Sequence, residues 1–166
     1  MNNYEVQAIL EAVEHGYEGM SKRQKACCEK TKKRDLAILT LMLNTGIRVS
    51  ECRGLDLSDV DFVVNSLTIV RKGGGQDVIY FGDDVAKALS DYVNTERALM
   101  RPAQEDDNAL FYSLQGKRIS VDAIERLVRK YAKMSVPNKK ITPHKLRSTY
   151  GTALYQETGD IYLVAD

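Results

Sequence analysis

The segment Thr142-Pro143-His144-Lys145-Leu146-Arg147 sets a histidine and an arginine one turn apart at the start of an expected helix. Thr142 can cap that helix, and Pro143 suits its first position because the N–H it lacks would have no intrahelical partner. His144 then falls in the first turn. Arg147, three residues on, projects from nearly the same side, and Gly151 continues that side without a side chain to hold a ligand away. Leu146 and Ala153 point elsewhere, toward a core. One face is buried and the other carries the chemistry of a phosphate grip. Taken alone, such a pair is more often a solvated helix face.

Two further residues combine polar chemistry with a structural junction. Arg48 follows Asn44-Thr45-Gly46, where a helix is expected to end, and Lys72 lies at the tip of an expected β-hairpin. With His144 and Arg147 they supply two guanidinium groups, one ammonium and one imidazole. That set suits a phosphodiester: two forked arginines can hold both non-bridging oxygens and offset the charge that builds in a pentavalent transition state. A mobile lysine can protonate a leaving oxygen, and the imidazole can trade protons with the nucleophile or hold the phosphate. The competing readings are an ordinary basic hairpin tip for Lys72 and a surface arginine paired with Glu51 for Arg48.

The elements that must position these residues are legible in outline. Val6, Ile9, Leu10 and Val13 recur at helical spacing before Gly16 and Gly19 break the pattern. Asp35 can begin a second helix carrying Leu36, Ile38, Leu39, Leu41, Met42 and Leu43, with Gly46 as its left-handed cap. A short helix follows Arg48 and closes at Gly54, and Asp59 with Asp61 marks a turn. Leu67-Thr68-Ile69-Val70 and Val78-Ile79-Tyr80-Phe81 read as the strands of the hairpin, joined through Gly73-Gly74-Gly75. Asp83 or Asp84 starts a helix with Val85, Ala88, Leu89, Tyr92 and Val93 at core spacing. Ala109 to Tyr112 suggests a short strand, Ser120 caps a helix burying Val121, Ile124, Leu127, Val128 and Tyr131, and Ile161 to Ala165 begins a last apolar element.

Composition bounds the rest. A chain of 166 residues, 43% hydrophobic and 28% charged, is most economically one domain. No apolar run is long enough to span a bilayer, and the start lacks the layout of a secretion signal, so a soluble cytoplasmic protein is expected. Three cysteines give no disulfide framework, and with only His15 and His144 beside them a zinc site is not expected. With 24 basic against 23 acidic residues, the charge balance argues against coating nucleic acid by bulk attraction. Local basic clusters remain, at Lys22 to Arg34, at Arg71-Lys72 and from Arg126 to Lys140.

Three motifs, in order, resemble those of the tyrosine recombinases, the family of phage integrases and related site-specific DNA recombinases. Thr45-Gly46-Ile47-Arg48-Val49-Ser50-Glu51 is similar to the family's first arginine box, Arg71-Lys72-Gly73-Gly74-Gly75 with Val78 to Phe81 to its hairpin lysine motif, and Thr142 to Thr149 to its H-x-x-R box. The resemblance covers essentially the whole chain from residue 4. It implies an α+β, mainly α fold: a helical catalytic domain over residues 1–166 with a small antiparallel β-hairpin or sheet at one edge. It further implies that Arg48 and Arg147 clamp the scissile phosphate, that Lys72 is the general acid for the departing 5′ oxygen, and that His144 is a proton partner, with Glu51 supporting Arg48.

The implied activity is site-specific DNA recombination or integration through a 3′-phosphotyrosine intermediate. It needs no cofactor or metal, because the phosphotyrosine keeps the energy of the broken bond. The implied partner is a double-stranded DNA recombination site, occupied by a tetramer of the full-length protein. Two departures accompany the resemblance. Tyr150, Tyr155 and Tyr162 follow Arg147 too closely for the family's nucleophile, so that tyrosine is expected outside this chain, and the family's N-terminal DNA-clamping domain is not found here. An inactive, monomeric catalytic-domain fragment is therefore expected. The alternative is a non-catalytic DNA-binding module, a decayed or regulatory relative. A different phosphate-handling enzyme is disfavoured, since no Walker-type loop precedes a helix.

Overall fold

In a computed structural model, which describes residues 3–16, 20–103, 108–135 and 143, the longest helix begins well before the apolar run that predicts it. α1 spans Asn3–His15 and α2 spans Lys22–Thr45. The start of α2 is set by a reciprocal cap: Ser21 Oγ accepts the Gln24 N–H at 3.1 Å, and Gln24 Oε1 accepts the Ser21 N–H at 2.8 Å. The expected start at Asp35 is thereby corrected. The first half of α2 is exposed and basic, without apolar periodicity, and is carried by its cap and by good helix formers.

Asp35 instead lies in mid-helix, fully buried. Its carboxylate accepts from Thr31 Oγ1 at 3.1 Å, from the Tyr131 hydroxyl at 2.9 Å and from Arg34 Nε at 3.0 Å. A buried charge needs such partners. Nearby, the Glu96 carboxylate reaches into the same helix and accepts the backbone N–H groups of Lys33 and Arg34 at 2.7 and 3.0 Å.

α3 covers Val49–Gly54. A three-stranded antiparallel sheet follows in the order β1 (Val60–Asp61), β2 (Ser66–Val70), β3 (Gln76–Tyr80). The pairing sets Leu67 against Ile79 and Val70 against Gln76, so Leu67 and Ile69 face the core while Val70, Val78 and Tyr80 face outward. β1, only two residues long, sits where the sequence suggests just a turn.

α4 spans Asp83–Tyr92 and continues through a wider helical turn over Val93–Arg97; α5 spans Val121–Ser135, with Ser120 Oγ accepting the Ala123 N–H at 3.0 Å. α1 packs on α2 and α5, α2 on α4, and α3 on α5. Ile9, Ile38, Leu39, Leu41, Leu89, Ile124 and Tyr131 meet in the resulting core.

The short strand expected at Ala109 to Tyr112 does not form. Two isolated bridges, Asp56 with Ala109 and Tyr112 with Arg118, stand in its place. Ala109, Leu110, Phe111 and Tyr112 are buried nonetheless, and Phe111 stacks on Tyr92 with ring centroids 5.5 Å apart. Their β-like composition reflects burial rather than a ladder. The fold is mainly helical with one small sheet, and no helix among the described residues is long and apolar enough to cross a membrane.

Candidate functional site

Gly46 ends α2 in the left-handed conformation, φ +65° and ψ 20°, with its N–H donated to the Met42 carbonyl at 3.1 Å. The reversal is one that a residue without Cβ adopts at little cost. Ile47, 1% exposed, then anchors the chain in the core. Arg48 follows in extended conformation as the N-cap of α3, half-buried.

A guanidinium has no acceptor, so Arg48 cannot cap α3 with its own side chain. Glu51 supplies one half of a capping box instead, its Oε1 accepting the Arg48 N–H at 2.7 Å. The Glu51 carboxylate is buried, and its other oxygen, Oε2, accepts from Arg71 Nη1 at 3.1 Å. Arg71 also donates from Nε to Asp77 Oδ2 at 2.7 Å. One carboxylate thus joins the start of α3 to the end of β2.

Lys72 is the next residue, exposed in the turn between β2 and β3. That turn is closed by Arg71, whose N–H donates to the Gly75 carbonyl at 2.6 Å and whose carbonyl accepts the Gly74 N–H at 3.0 Å. Gly73 and Gly74 have φ of +101° and +94°, a region hostile to other residues. The Glu51 carboxylate therefore ties the Arg48 main chain to Arg71, the residue before Lys72. His144 and Arg147 lie outside the described residues, as do Tyr150, Tyr155 and Tyr162.

The Arg71 to Glu51 pairing has no counterpart in the sequence reading. It joins residues twenty apart, and spacing alone marks neither as the other's partner. The available signal is the acidic residue on the short helix beside a core-facing cysteine, a position where a carboxylate demands a cation.

Other reactive groups are turned inward. Cys52, the neighbour of Glu51, is fully buried, and burial pushes its thiol up to about 12. Tyr92 and Tyr131 have phenols raised by burial, and Tyr131 further by the Asp35 carboxylate it bonds. Such groups are poor nucleophiles at neutral pH. Among the described residues no three His, Cys, Asp or Glu side chains are grouped to hold a metal ion.

With the geometry in place, comparison with known proteins assigns the family. The sequence profile of the phage integrase family matches residues 1–166. The chain belongs to the phage integrase family. Among curated members, tyrosine recombinase XerS of Streptococcus thermophilus is 36% identical over 165 residues, covering 97% of this chain and 46% of its own length. XerS of Streptococcus agalactiae is 36% identical over 161 residues, covering 95% of this chain and 44% of its own. This integrase-family chain thus spans about half the length of the curated relatives it matches.

Among solved structures, XerA recombinase superposes with a TM-score of 0.81 at 27% identity, covering 99% of this chain and 53% of that one. XerH recombinase bound to its difH substrate superposes at 0.77 with 22% identity, covering 99% and 44%. The integrase-family fold is that of a tyrosine recombinase catalytic domain.

Proposed function

We propose that this chain is the phosphate-clamping part of a site-specific DNA recombinase that cuts and rejoins strands through a 3′-phosphotyrosine. A tyrosine oxygen attacks the scissile phosphorus, and the bond from phosphorus to the 5′ oxygen breaks. Arg48 and Arg147 hold the non-bridging oxygens, Lys72 gives a proton to the departing 5′ oxygen, and His144 exchanges the proton of the nucleophile. Rejoining reverses these steps. The observation that carries this reading is the shared carboxylate: Glu51 bonds both the Arg48 N–H and Arg71, the residue before Lys72. Family membership and the DNA-bound XerH relative support a double-stranded recombination site as partner.

None of the nine tyrosines suits the nucleophile in this proposal. Tyr4, Tyr17 and Tyr80 precede the H-x-x-R box that the family's nucleophile follows, Tyr92, Tyr112 and Tyr131 precede it and are buried, and Tyr150, Tyr155 and Tyr162 follow Arg147 too closely. Residues 1–166 alone then bind DNA weakly, as a monomer, and do not cleave, while the full protein works as a tetramer on DNA in the cytoplasm. The second reading, a DNA-binding module without catalysis, draws on the same lack of a suitable tyrosine. Nicked recombination-site DNA, on which a cleaved strand end is lost and the adduct is trapped, separates the two. A covalent adduct with the full protein and none with residues 1–166 is the expected pattern. An adduct mapped to any of the nine tyrosines overturns the account of the nucleophile, and no adduct from the full protein favours the binding module.

A further inference from the structure

We propose that Arg71 is a positioning residue for the cleavage step: by bridging Glu51 and Asp77 it holds the β2–β3 turn so that Lys72 is presented at the start of α3, beside Arg48. This rests on the assignment of Lys72 as general acid, and extends it to a residue that touches neither phosphate nor leaving group.

Beyond the β2–β3 pairing at its base, the glycine tip offers no side chain to pack the turn. A Cβ built on Gly73, Gly74 or Gly75 meets nothing within 4 Å, and Lys72 itself is exposed. Every fixed contact of the turn named above passes through Arg71: its N–H and carbonyl close the loop, and its guanidinium reaches outward in two directions. The Glu51 end of this bridge is protected, with the carboxylate side chain 5% exposed and that of Arg71 30% exposed. Solvent therefore screens it less than an ordinary surface pair. The partner carboxylate is itself fixed, since its other oxygen holds the Arg48 N–H.

A guanidinium is required for this arrangement. Nε and Nη1 diverge from one rigid plane and serve two carboxylates at once, whereas a lysine offers one point charge on a flexible stem. The structure thus makes the placement of the acid depend on the carboxylate that fixes the first arginine.

The test uses the full protein carrying this chain together with its nucleophile, and two versions of the recombination site. One has the ordinary 5′ oxygen at the scissile bond; the other has sulfur there, and a thiolate departs without needing a proton. Lys72→Ala is expected to slow cleavage of ordinary DNA by about 10²–10⁴-fold and to cleave the sulfur substrate near the wild-type rate. Arg71→Ala is expected to follow the same pattern at about 10-fold or more on ordinary DNA, and to add little when combined with Lys72→Ala. Arg71→Lys, which keeps the charge and most of the stem, is expected to show a smaller defect that the sulfur substrate also relieves.

A merely structural role slows both substrates alike. If Lys72→Ala is relieved by sulfur while both Arg71 variants are slowed equally on the two substrates, the Arg71 inference is wrong and the acid assignment survives. If Lys72→Ala itself is not relieved, the acid assignment fails and the Arg71 inference falls with it.

Discussion

Arg48 donates its backbone N–H to the Glu51 carboxylate at 2.7 Å, so the arginine at the head of α3 is located by main chain rather than by packing of its own side chain. The same carboxylate is buried and accepts from Arg71. Replacing Glu51 by Ala removes a helix cap and leaves Arg71 without this partner, a loss of about 3 kcal/mol of stability. Glu51→Gln keeps an oxygen for the Arg48 N–H but turns an amide NH2 toward Arg71, losing that acceptor with the charge, for about 2 kcal/mol. Urea denaturation of the two variants checks both the losses and their order.

Arg48→Ala tests the phosphate clamp. The expected result in the full protein is a fall in cleavage rate of about 10²–10³-fold or more, as for loss of a preorganised donor to a developing charge. Arg147→Ala should behave alike. Melting temperature is the control for Arg48, because its side chain lies half-exposed beyond the Gly46 reversal and stability should change by about 0.5 kcal/mol or less. Cleavage at the wild-type rate by either variant removes it from the clamp.

Asp35 predicts a different kind of loss. Its carboxylate is fully buried and accepts from Arg34, Thr31 and Tyr131, all at 3.1 Å or less. Asp35→Ala takes the counter-charge from the Arg34 guanidinium, which is 13% exposed and keeps the Tyr112 carbonyl, and an acceptor from the buried Tyr131 phenol, and should cost about 3 kcal/mol. Equilibrium unfolding in urea measures it. Because α2 carries Asp35 and ends at Thr45, three residues before Arg48, DNA binding should fail together with the fold rather than before it.

Cys52 gives a pH dependence. Its thiol is pushed from 9.0 to about 12 by burial, so the folded chain keeps a proton that the unfolded chain has lost. The sign follows: this residue costs no stability below pH 9, and stability then declines up to pH 12 by at most about 1.4 kcal/mol per unit. The difference between wild type and Cys52→Ala, followed by urea denaturation from pH 8 upward, should shrink accordingly. A thiol reagent at pH 8 should modify the exposed Cys27 in the native protein and reach Cys52 only on unfolding.

Where local chemistry sets structure, the sequence is a good guide. Gly46 ends α2, Ser120 caps α5, and the glycines at 73 to 75 turn the hairpin as their backbone freedom requires. Where tertiary partners decide, it is not. The first half of α2 has no apolar stripe to read, because its start rests on Ser21 and Gln24. Ala109 to Tyr112 looks like a strand because buried positions and strand positions favour the same residues. The candidate site divides the same way: Arg48 and Lys72 stand out by their junctions, whereas Arg71 gains its partner only when β2 folds back beside α3.

The left-handed turn at Gly46 has a consequence for how this chain can change length. The Gly46 N–H bonds the Met42 carbonyl and the Arg48 N–H bonds Glu51 three residues on, so one inserted or deleted residue between them would swing the Arg48 guanidinium round the axis of α3 and out of reach of its target. At 73 to 75 a Cβ meets open space, and an added residue would lengthen the loop without disturbing the core. The two sides of the candidate site therefore drift under different constraints: the arginine side accepts substitution but not a shift in register, while the glycine turn accepts insertion but, at its positive-φ positions, resists a change of residue type.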